Sequence, residues 1–471
     1  MSNSASNSSK FTINITIMNI VSLFMFLRKS ATNGLVYSIA QFSKKRTLYF
    51  ISFIIAPFAT IGFYCKRKKP NIAKTIENLG PIFIKFGQTI STRPDLIGNE
   101  FAHSLSNLRD KLDPFPSKIA IEIVEKEFGK KIDEIFSYFS KESVAAASIA
   151  QVHKAELKDG SKVAVKILRP EIKKLYKRDI SLLYMFAKIG NIIFKQNKRL
   201  KLFEIVKLFE KSMRFELNLK NEAAACSELY DNFEFDNNIV IPKVYWDYCT
   251  TQIFVMGWID GISIYDSSLL ETYNLDKKDI VKKLATCFLN QAYRDGYFHA
   301  DLHPGNIFVQ KDGRIALVDF GIVGRLEERD RIAIAEILHG FINRDYKKVA
   351  EVHIFAGYVE QDTNLMEFAL ACRMIAEPIV GKPANQISIG KLLENLFEIT
   401  TEYGMEIQPR LLLLQKTMAV LEGISQTLDP KVNMWDLVRP WIQNWATKNI
   451  TLDAKLFRLL KLFIKDLKTK L

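Results

Sequence analysis

The alternation of apolar and polar positions divides this chain into a strand-rich middle flanked by helices. Two uncharged runs open it, Phe11–Leu27 with 17 residues and Thr47–Cys65 with 19. From Asn71 to Leu112 the period is helical, with Ile82, Phe83, Phe86 and Ile90 as one apolar stripe. Pro114-Phe115-Pro116 breaks that pattern, and a helix is predicted over Ser117–Phe128. Small residues over 143–155 read as strand, loop and strand; after the Asp159-Gly160 turn, Lys162–Leu168 alternates as another strand. Residues 171–233 return to a helical period, Ile239–Tyr248 and Gln252–Met256 read as strands, and Gly257–Gly261 as a hinge. A helix over Asp276–Asp295 leads to a hairpin made of Ile307–Val309 and Ile315–Val318 around Asp312-Gly313. A helix then starts near Glu327, and 344–445 is helix after helix with Leu, Ile and Phe stripes. This order of elements is that of an α+β chain.

The hairpin carries the candidate chemistry. Before it stands Phe298-His299-Ala300-Asp301-Leu302-His303-Pro304-Gly305-Asn306, and after it Val318-Asp319-Phe320-Gly321. Protein kinases place an Asp, an Asn five residues later and a DFG Asp in this way, the last two as Mg2+ ligands. Here Asp301 takes the catalytic position, and Asn306 and Asp319 are the metal candidates. Upstream, Val163-Ala164-Val165-Lys166 follows the small-residue loop, the order in which a kinase brings its strand lysine to the α/β-phosphates of ATP. The loop, Val144, Ala145, Ala146, Ala147, Ser148, Ile149, Ala150, Gln151 and Val152, has no glycine, so its φ angles are restricted and it should be stiff. A helix carboxylate is needed to hold Lys166; Glu222 is the first choice and Glu216 the second. Lys85 and Gln88 share a helix face and, with Arg93 and Asp95, form a polar cluster aimed at a pocket. His299 and His303 precede Pro304-Gly305 and so belong to a loop, not to a helical metal pair.

Composition narrows the partners. A net charge of +14 and a pI near 9.3 favour an anionic partner. No zinc-finger, RRM or KH signature supports nucleic acid, whereas basic clusters flank both apolar runs and favour anionic lipid. Basic residues on both sides of Thr47–Cys65 argue for a segment in the interface or on the domain over a true span. Thr451–Leu471 puts Leu452, Leu456, Leu459, Leu460, Phe463, Leu467 and Leu471 on one stripe among lysines, a basic amphipathic helix for a membrane or for the domain itself. Five scattered cysteines without a CxxC pair point to a reducing compartment and exclude a disulfide framework or structural zinc. After Gly321 only a few residues precede the next helix, and no APE triplet follows, so the platform on which a protein kinase holds a peptide is missing.

Taken together, these motifs resemble the UbiB family, atypical kinase-like proteins that support ubiquinone biosynthesis. The resemblance rests on the KxGQ helix (Lys85, Gly87, Gln88) with its STRPDL continuation, AAASIAQVH, VAVK, ELNLxxEA, FHADLHPGNI and VDFG in that order. It implies a two-lobed protein-kinase-like fold with an N-terminal KxGQ helical extension and a mostly helical C-lobe. It implies ATP and Mg2+ as cofactors: Val144–Val152 and Lys166 at the nucleotide, Asp301 at the reacting group, Asn306 and Asp319 on the metal, and the KxGQ helix over the site. The expected organisation is a membrane-associated region over 1–70, the KxGQ extension over 71–140, an N-lobe over 141–257, a C-lobe over 258–445 and the terminal helix over 446–471. Expected partners are an anionic membrane surface and quinone-pathway enzymes or isoprenoid-lipid intermediates, at a bacterial inner membrane with the catalytic domain in the cytoplasm. Two positions depart from the family pattern. The ExD motif reads Glu216-Leu217-Asn218, and Gly257 follows the hinge methionine where a Glu is common.

Overall fold

The computed structural model describes residues 72–91, 112–193, 202–380, 408–430, 432 and 434–449, with scattered positions outside these stretches. Both N-terminal apolar runs fall largely outside the described residues; of the STRPDL continuation only Ser91 is described, and the terminal basic stripe lies wholly outside them. Among the described residues no helix is long and apolar enough to cross a membrane.

The first unit comprises Met1–Lys220 and Asp247–Val255. It opens with α1 (Ile72–Leu79) and α2 (Pro81–Ser91), then α3 (Ser117–Phe128) and the short α4 (Ile132–Ile135). The helical period expected from Asn71 onward is thus split at Gly80, where φ is +111° and the chain turns before Pro81. A four-stranded sheet follows in the order β1 (Phe136–Ala146), β2 (Ala150–Leu157), β3 (Lys162–Leu168), β5 (Ile253–Gly257). The alternation read in Lys162–Leu168 is genuine on one side only: Val163, Ala164, Val165, Ile167 and Leu168 are buried, and Lys166 is half-buried. In the antiparallel register Val152 stands opposite Lys166. Helices α5 (Ile172–Ile193) and α6 (Leu202–Glu216) pack on each other and on α2. Phe86 meets Phe209 edge-on at 5.1 Å in that contact.

The second unit comprises Asn221–Trp246 and Met256–Leu471, so it includes most of α7 (Leu219–Asn232), which the sequence reading placed in the first lobe. A small mixed sheet runs in the order β4 (Ile239–Val240), β9 (Ile315–Leu317), β8 (Ile307–Val309), β6 (Ile262–Ser263). The strand expected over Ile239–Tyr248 is therefore two residues long. Past Pro242 it keeps only a bridge from Val244 to Met256 and then a 3-10 turn at Trp246–Tyr248. Helix α8 (Ser267–Thr272) precedes α9 (Lys277–Leu289), which is capped by the Asp276 carboxylate on the Lys278 N–H. The helix expected to reach Asp295 becomes a π-turn over Asn290–Asp295 and ends at Gly296 with φ +70°. Strand β7 (Tyr297–His299) pairs with β10 (Val323–Arg325). Helices α10 (Glu328–Ile342), α11 (Tyr346–Ala356), α12 (Leu365–Val380), α13 (Pro409–Leu428) and α14 (Met434–Asn449) complete the unit.

Gly324 shows how tightly β7 and β10 meet. A Cβ there would lie 2.2 Å from the fully buried ring of Phe298. Gly324→Ala is therefore expected to cost about 1–3 kcal/mol, because neither the ring nor the paired strands can yield. Denaturant titration measures this, and a wild-type midpoint would show that the ring has room to move.

Candidate active site

In the second unit, one imidazole ties the two expected active-site loops together. His299 ends β7, fully buried, and its backbone N–H donates to the Gln291 carboxamide at 2.8 Å. Gln291 sits in the π-turn, which is how the widened turn serves the site. The His299 Nδ1 accepts the Asp301 backbone N–H at 3.2 Å, and Nε2 lies 3.1 Å from the Val318 carbonyl. A carbonyl can only accept, so Nε2 carries the proton and the ring is neutral. Phe320 packs edge-on against it at 5.5 Å. Burial pushes the His299 pKa down, against the Val318 hydrogen bond and the charges of Asp301 and Asp319, which raise it.

The metal candidates follow from the same loops. Asn306 donates from Nδ2 to the Asp301 carbonyl at 3.0 Å, and its own carbonyl accepts the Val318 N–H at 3.0 Å. With its nitrogen committed, the side-chain oxygen is the end available to a cation. Asp319 is exposed and held at φ +63°, one of four non-glycine residues in the left-handed region among those described. That conformation is costly for an Asp and is kept where the surroundings impose it. Its Oδ1 accepts the Gly321 N–H at 3.4 Å. Hard oxygen donors of this kind suit Mg2+, which takes one or two carboxylates and completes its shell with phosphate oxygens and water. Among the described residues no group of three or more His, Cys, Asp or Glu converges as a metal site, which leaves the Asn306 amide and the Asp319 carboxylate as the candidates.

In the first unit, the small-residue loop turns without glycine, closed by the Ala147 N–H on the Ala150 carbonyl at 2.8 Å. None of its residues has positive φ, which is why alanine suffices. Val144 and Ala145 are exposed, Ala146, Ala147 and Val152 half-buried, and Ser148, Ile149, Ala150 and Gln151 buried. The Ser148 hydroxyl is buried without a hydrogen-bond partner among the described residues, an orphan donor inside the loop expected to meet phosphates. Gln151 differs from expectation. Its side chain accepts the Phe115 N–H at 2.9 Å and donates to the Phe115 carbonyl at 3.2 Å, so only its backbone is left for a nucleotide. It also reaches His153 Nε2 at 2.8 Å, and the His153 Nδ1 proton goes to the Ser140 carbonyl at 3.0 Å.

Sequence reasoning missed Arg169, the residue that stiffens this loop. Its Nε donates to the Ala147 carbonyl at 2.9 Å, its Nη2 to the Asp113 carbonyl at 2.8 Å, and its backbone N–H to the Ile149 carbonyl at 2.8 Å. An arginine directly after a strand carries no local sign of such a role. Glu216, the second choice for Lys166, instead holds Lys85 at 3.4 Å. The two side chains are 17% and 9% exposed, so the pair is largely out of water and fixes α2 on α6. Lys85 therefore does not simply trail along its helix. Gln88 turns its amide to the Leu108 carbonyl at 3.4 Å. Glu222, in the first turn of α7, is 6% exposed. Lys416 of α13, also missed, places Nζ 3.6 Å from Asp301 Oδ1.

Comparison with known proteins agrees with this arrangement. A family model for the ABC1 atypical kinase-like domain matches residues 107–353, and one for the UbiB helical domain matches 372–433. The chain is 40% identical over 385 residues to the probable protein kinase UbiB of Azotobacter vinelandii (strain DJ / ATCC BAA-1303), covering 81% of this chain and 72% of that protein. It is 40% identical over 404 residues to that of Marinobacter nauticus, covering 85% and 74%. The chain belongs to the UbiB family. Its fold is kinase-like, with α12 and α13 contributing to the family's helical domain. A solved structure of Rv3197 with erythromycin from Mycobacterium tuberculosis shares 23% identity at a TM-score of 0.46, covering 75% of this chain and 90% of that one. At that level it adds nothing to the family assignment.

The buried imidazoles make stability pH-dependent. Burial lowers the pKa of His153 and His299, and that of His353 to about 4. Each folded value lies below the ordinary 6.5, so the unfolded chain binds more protons under pH 6.5. The stabilisation is whole above 6.5 and is lost as pH falls through the folded values. For His353 the loss is roughly 3 kcal/mol between about 6.5 and 4. Tm should fall steadily over that interval, and His353→Leu should flatten the slope; an unchanged slope would show that this imidazole is not held neutral.

Proposed function

We propose that this UbiB-family chain is an ATP- and Mg2+-dependent phosphotransferase or ATPase whose acceptor is a small molecule, serving ubiquinone biosynthesis at a membrane surface. One observation carries the reading: a neutral, buried His299 that joins the Asp301 loop to the Val318–Asp319 loop while Asn306 braces both. This is a rigid oxygen-ligand frame of the kind phosphoryl transfer needs.

In this reading Asn306 and Asp319 hold Mg2+, which when bound neutralises charge on the phosphates. Lys166 orients the α/β-phosphates, and the backbone of the Val144–Val152 loop, with the Ser148 hydroxyl, faces the triphosphate. Asp301 orients the acceptor hydroxyl and takes its proton as the new phosphorus–oxygen bond forms. The relatives are named protein kinases. A small acceptor is preferred for this chain because six residues, Ile322–Glu327, join the DFG glycine to α10, and three of those form β10. No room is left there for a peptide-holding segment.

Asp319→Asn removes the one charged ligand of the pair. Turnover is expected to fall by about 100-fold or more, and the Mg2+-dependent rise in Tm with ATP to disappear. Unchanged Mg2+-ATP stabilisation in thermal-shift titration would remove Asp319 from the metal site and this reading with it.

The membrane part rests on the +14 charge and on basic residues beside the two apolar runs. In flotation assays the intact chain should bind vesicles containing anionic phospholipid, and binding should weaken as salt is raised. Deleting residues 1–69 should release much of it. Full recovery of the intact chain in the soluble fraction at low salt would exclude a membrane role.

A further inference from the structure

The cation that faces Asp301 is Lys416, 115 residues further along the chain. Three basic residues that follow the loop closely in sequence are engaged elsewhere. Lys311 lies over the Tyr273 ring at 4.8 Å, Arg314 pairs with Asp312 at 2.7 Å, and Arg325 pairs with Glu228 at 2.8 Å. His303, two residues after Asp301, spends Nδ1 on the Gly305 N–H at 3.1 Å and so caps the turn that sets Asn306.

Helix α13 delivers Lys416 from a fixed base. Near its start, Arg410 Nε lies 2.8 Å from Asp330 Oδ2, and the Asp330 carboxylate also accepts the Tyr358 hydroxyl at 3.0 Å. Asp330 and Tyr358 are each 4% exposed, so the junction of α10, α13 and the turn after α11 is anchored on buried groups, with Arg410 reaching in from a half-buried position. Leu411, Leu414, Met418 and Leu421 bury the apolar side of α13. Lys416, by contrast, is over a third exposed and ends 3.6 Å from Asp301 Oδ1. As a surface ion pair it would add little to stability. Its position next to the expected reacting group gives it a different value.

We propose that Lys416 is a positioning residue for Asp301, supplied by the helical domain to the catalytic loop in cis. It engages Oδ1, which leaves Oδ2 to orient the acceptor hydroxyl. It also sets a positive charge against Asp301, which keeps that carboxylate from competing with Asp319 for the divalent cation. The helical domain is then part of the active site and not a neighbouring module. This inference rests on the proposed phosphotransferase reading and assigns a further residue to the same site.

The test uses the full-length chain with Mg2+-ATP as the probe and compares Lys416→Met, Lys416→Arg, Asp301→Asn and the Lys416→Met/Asp301→Asn double variant. Lys416→Met should lower kcat roughly 10- to 100-fold with KM for ATP within about twofold of wild type. Lys416→Arg should recover to within about threefold, because the charge is kept. In the Asp301→Asn background, Lys416→Met should cause no further loss of residual turnover. A kcat that Lys416→Met leaves unchanged, an arginine variant as poor as the methionine one, or additive losses in the double variant would each overturn the proposal. Tm of all four proteins guards against misfolding; should Lys416→Met not fold, Lys416→Gln takes its place. A wild-type chain with no turnover would instead refute the phosphotransferase reading. The pairing would then be decided by Tm at low ionic strength: a small effect of Lys416→Met that vanishes in Asp301→Asn supports the contact, and one that persists, or no effect at all, refutes it.

Discussion

The second unit depends on one imidazole kept neutral in the interior. His299 accepts from one active-site loop and donates to the other, and it can do both only as the Nε2–H tautomer. A protonated ring would give the Asp301 N–H a donor to face, and a buried donor without an acceptor is costly. Full burial and the edge contact with Phe320 suppress that protonation. Val318 is held from both sides, by His299 on its carbonyl and by the Asn306 carbonyl on its N–H. The left-handed residue Asp319 follows directly on this clamp.

In the first unit, rigidity comes from side chains that spend themselves on backbone. Gln151 binds Phe115 through both its oxygen and its nitrogen, and Arg169 collects the carbonyls of Ala147 and Asp113. The loop between β1 and β2 thus gains from tertiary hydrogen bonds the shape that a glycine-rich loop takes from its permissive φ angles. The cost is adaptability, because alanine cannot follow a ligand into left-handed conformations. The Lys85–Glu216 pair extends the same logic to the KxGQ helix, which is anchored to α6 both by charge and by the Phe86–Phe209 contact.

The helical segment after α12 reads in the sequence as core-forming stripes and nothing more. In the fold it supplies an arginine to the buried Asp330 and a lysine beside Asp301. A pairing across 115 residues leaves no periodic trace, since it depends on where α13 crosses the catalytic loop. Arg169 and Gln291 escaped notice for the same reason: each acts on the backbone of another element. Glu216 stands second to Glu222 as a partner for Lys166 in the sequence because both lie on helices near the right place in the order of motifs. That order does not say which of two neighbouring lysines a carboxylate meets, and here it meets Lys85.

What the sequence determined by itself was whatever local chemistry dictates. The spacing of Asp301 and Asn306 lies within one loop, the hairpin to Asp319 is closed by Asp312-Gly313, and the alternation of Lys162–Leu168 follows from the two faces of a strand. These patterns, in their order, were enough to reach the fold class and the family. Only the tertiary structure decided which side chains serve another segment's backbone, which carboxylate meets which lysine, and where a strand stops. Ile239–Tyr248 is rich in strand-forming residues, yet only Ile239 and Val240 form a ladder, with β9, and past Pro242 a single bridge from Val244 to Met256 remains. Propensity describes a residue's own backbone; a hydrogen-bond partner is a property of the neighbour, and the neighbour is set by the fold.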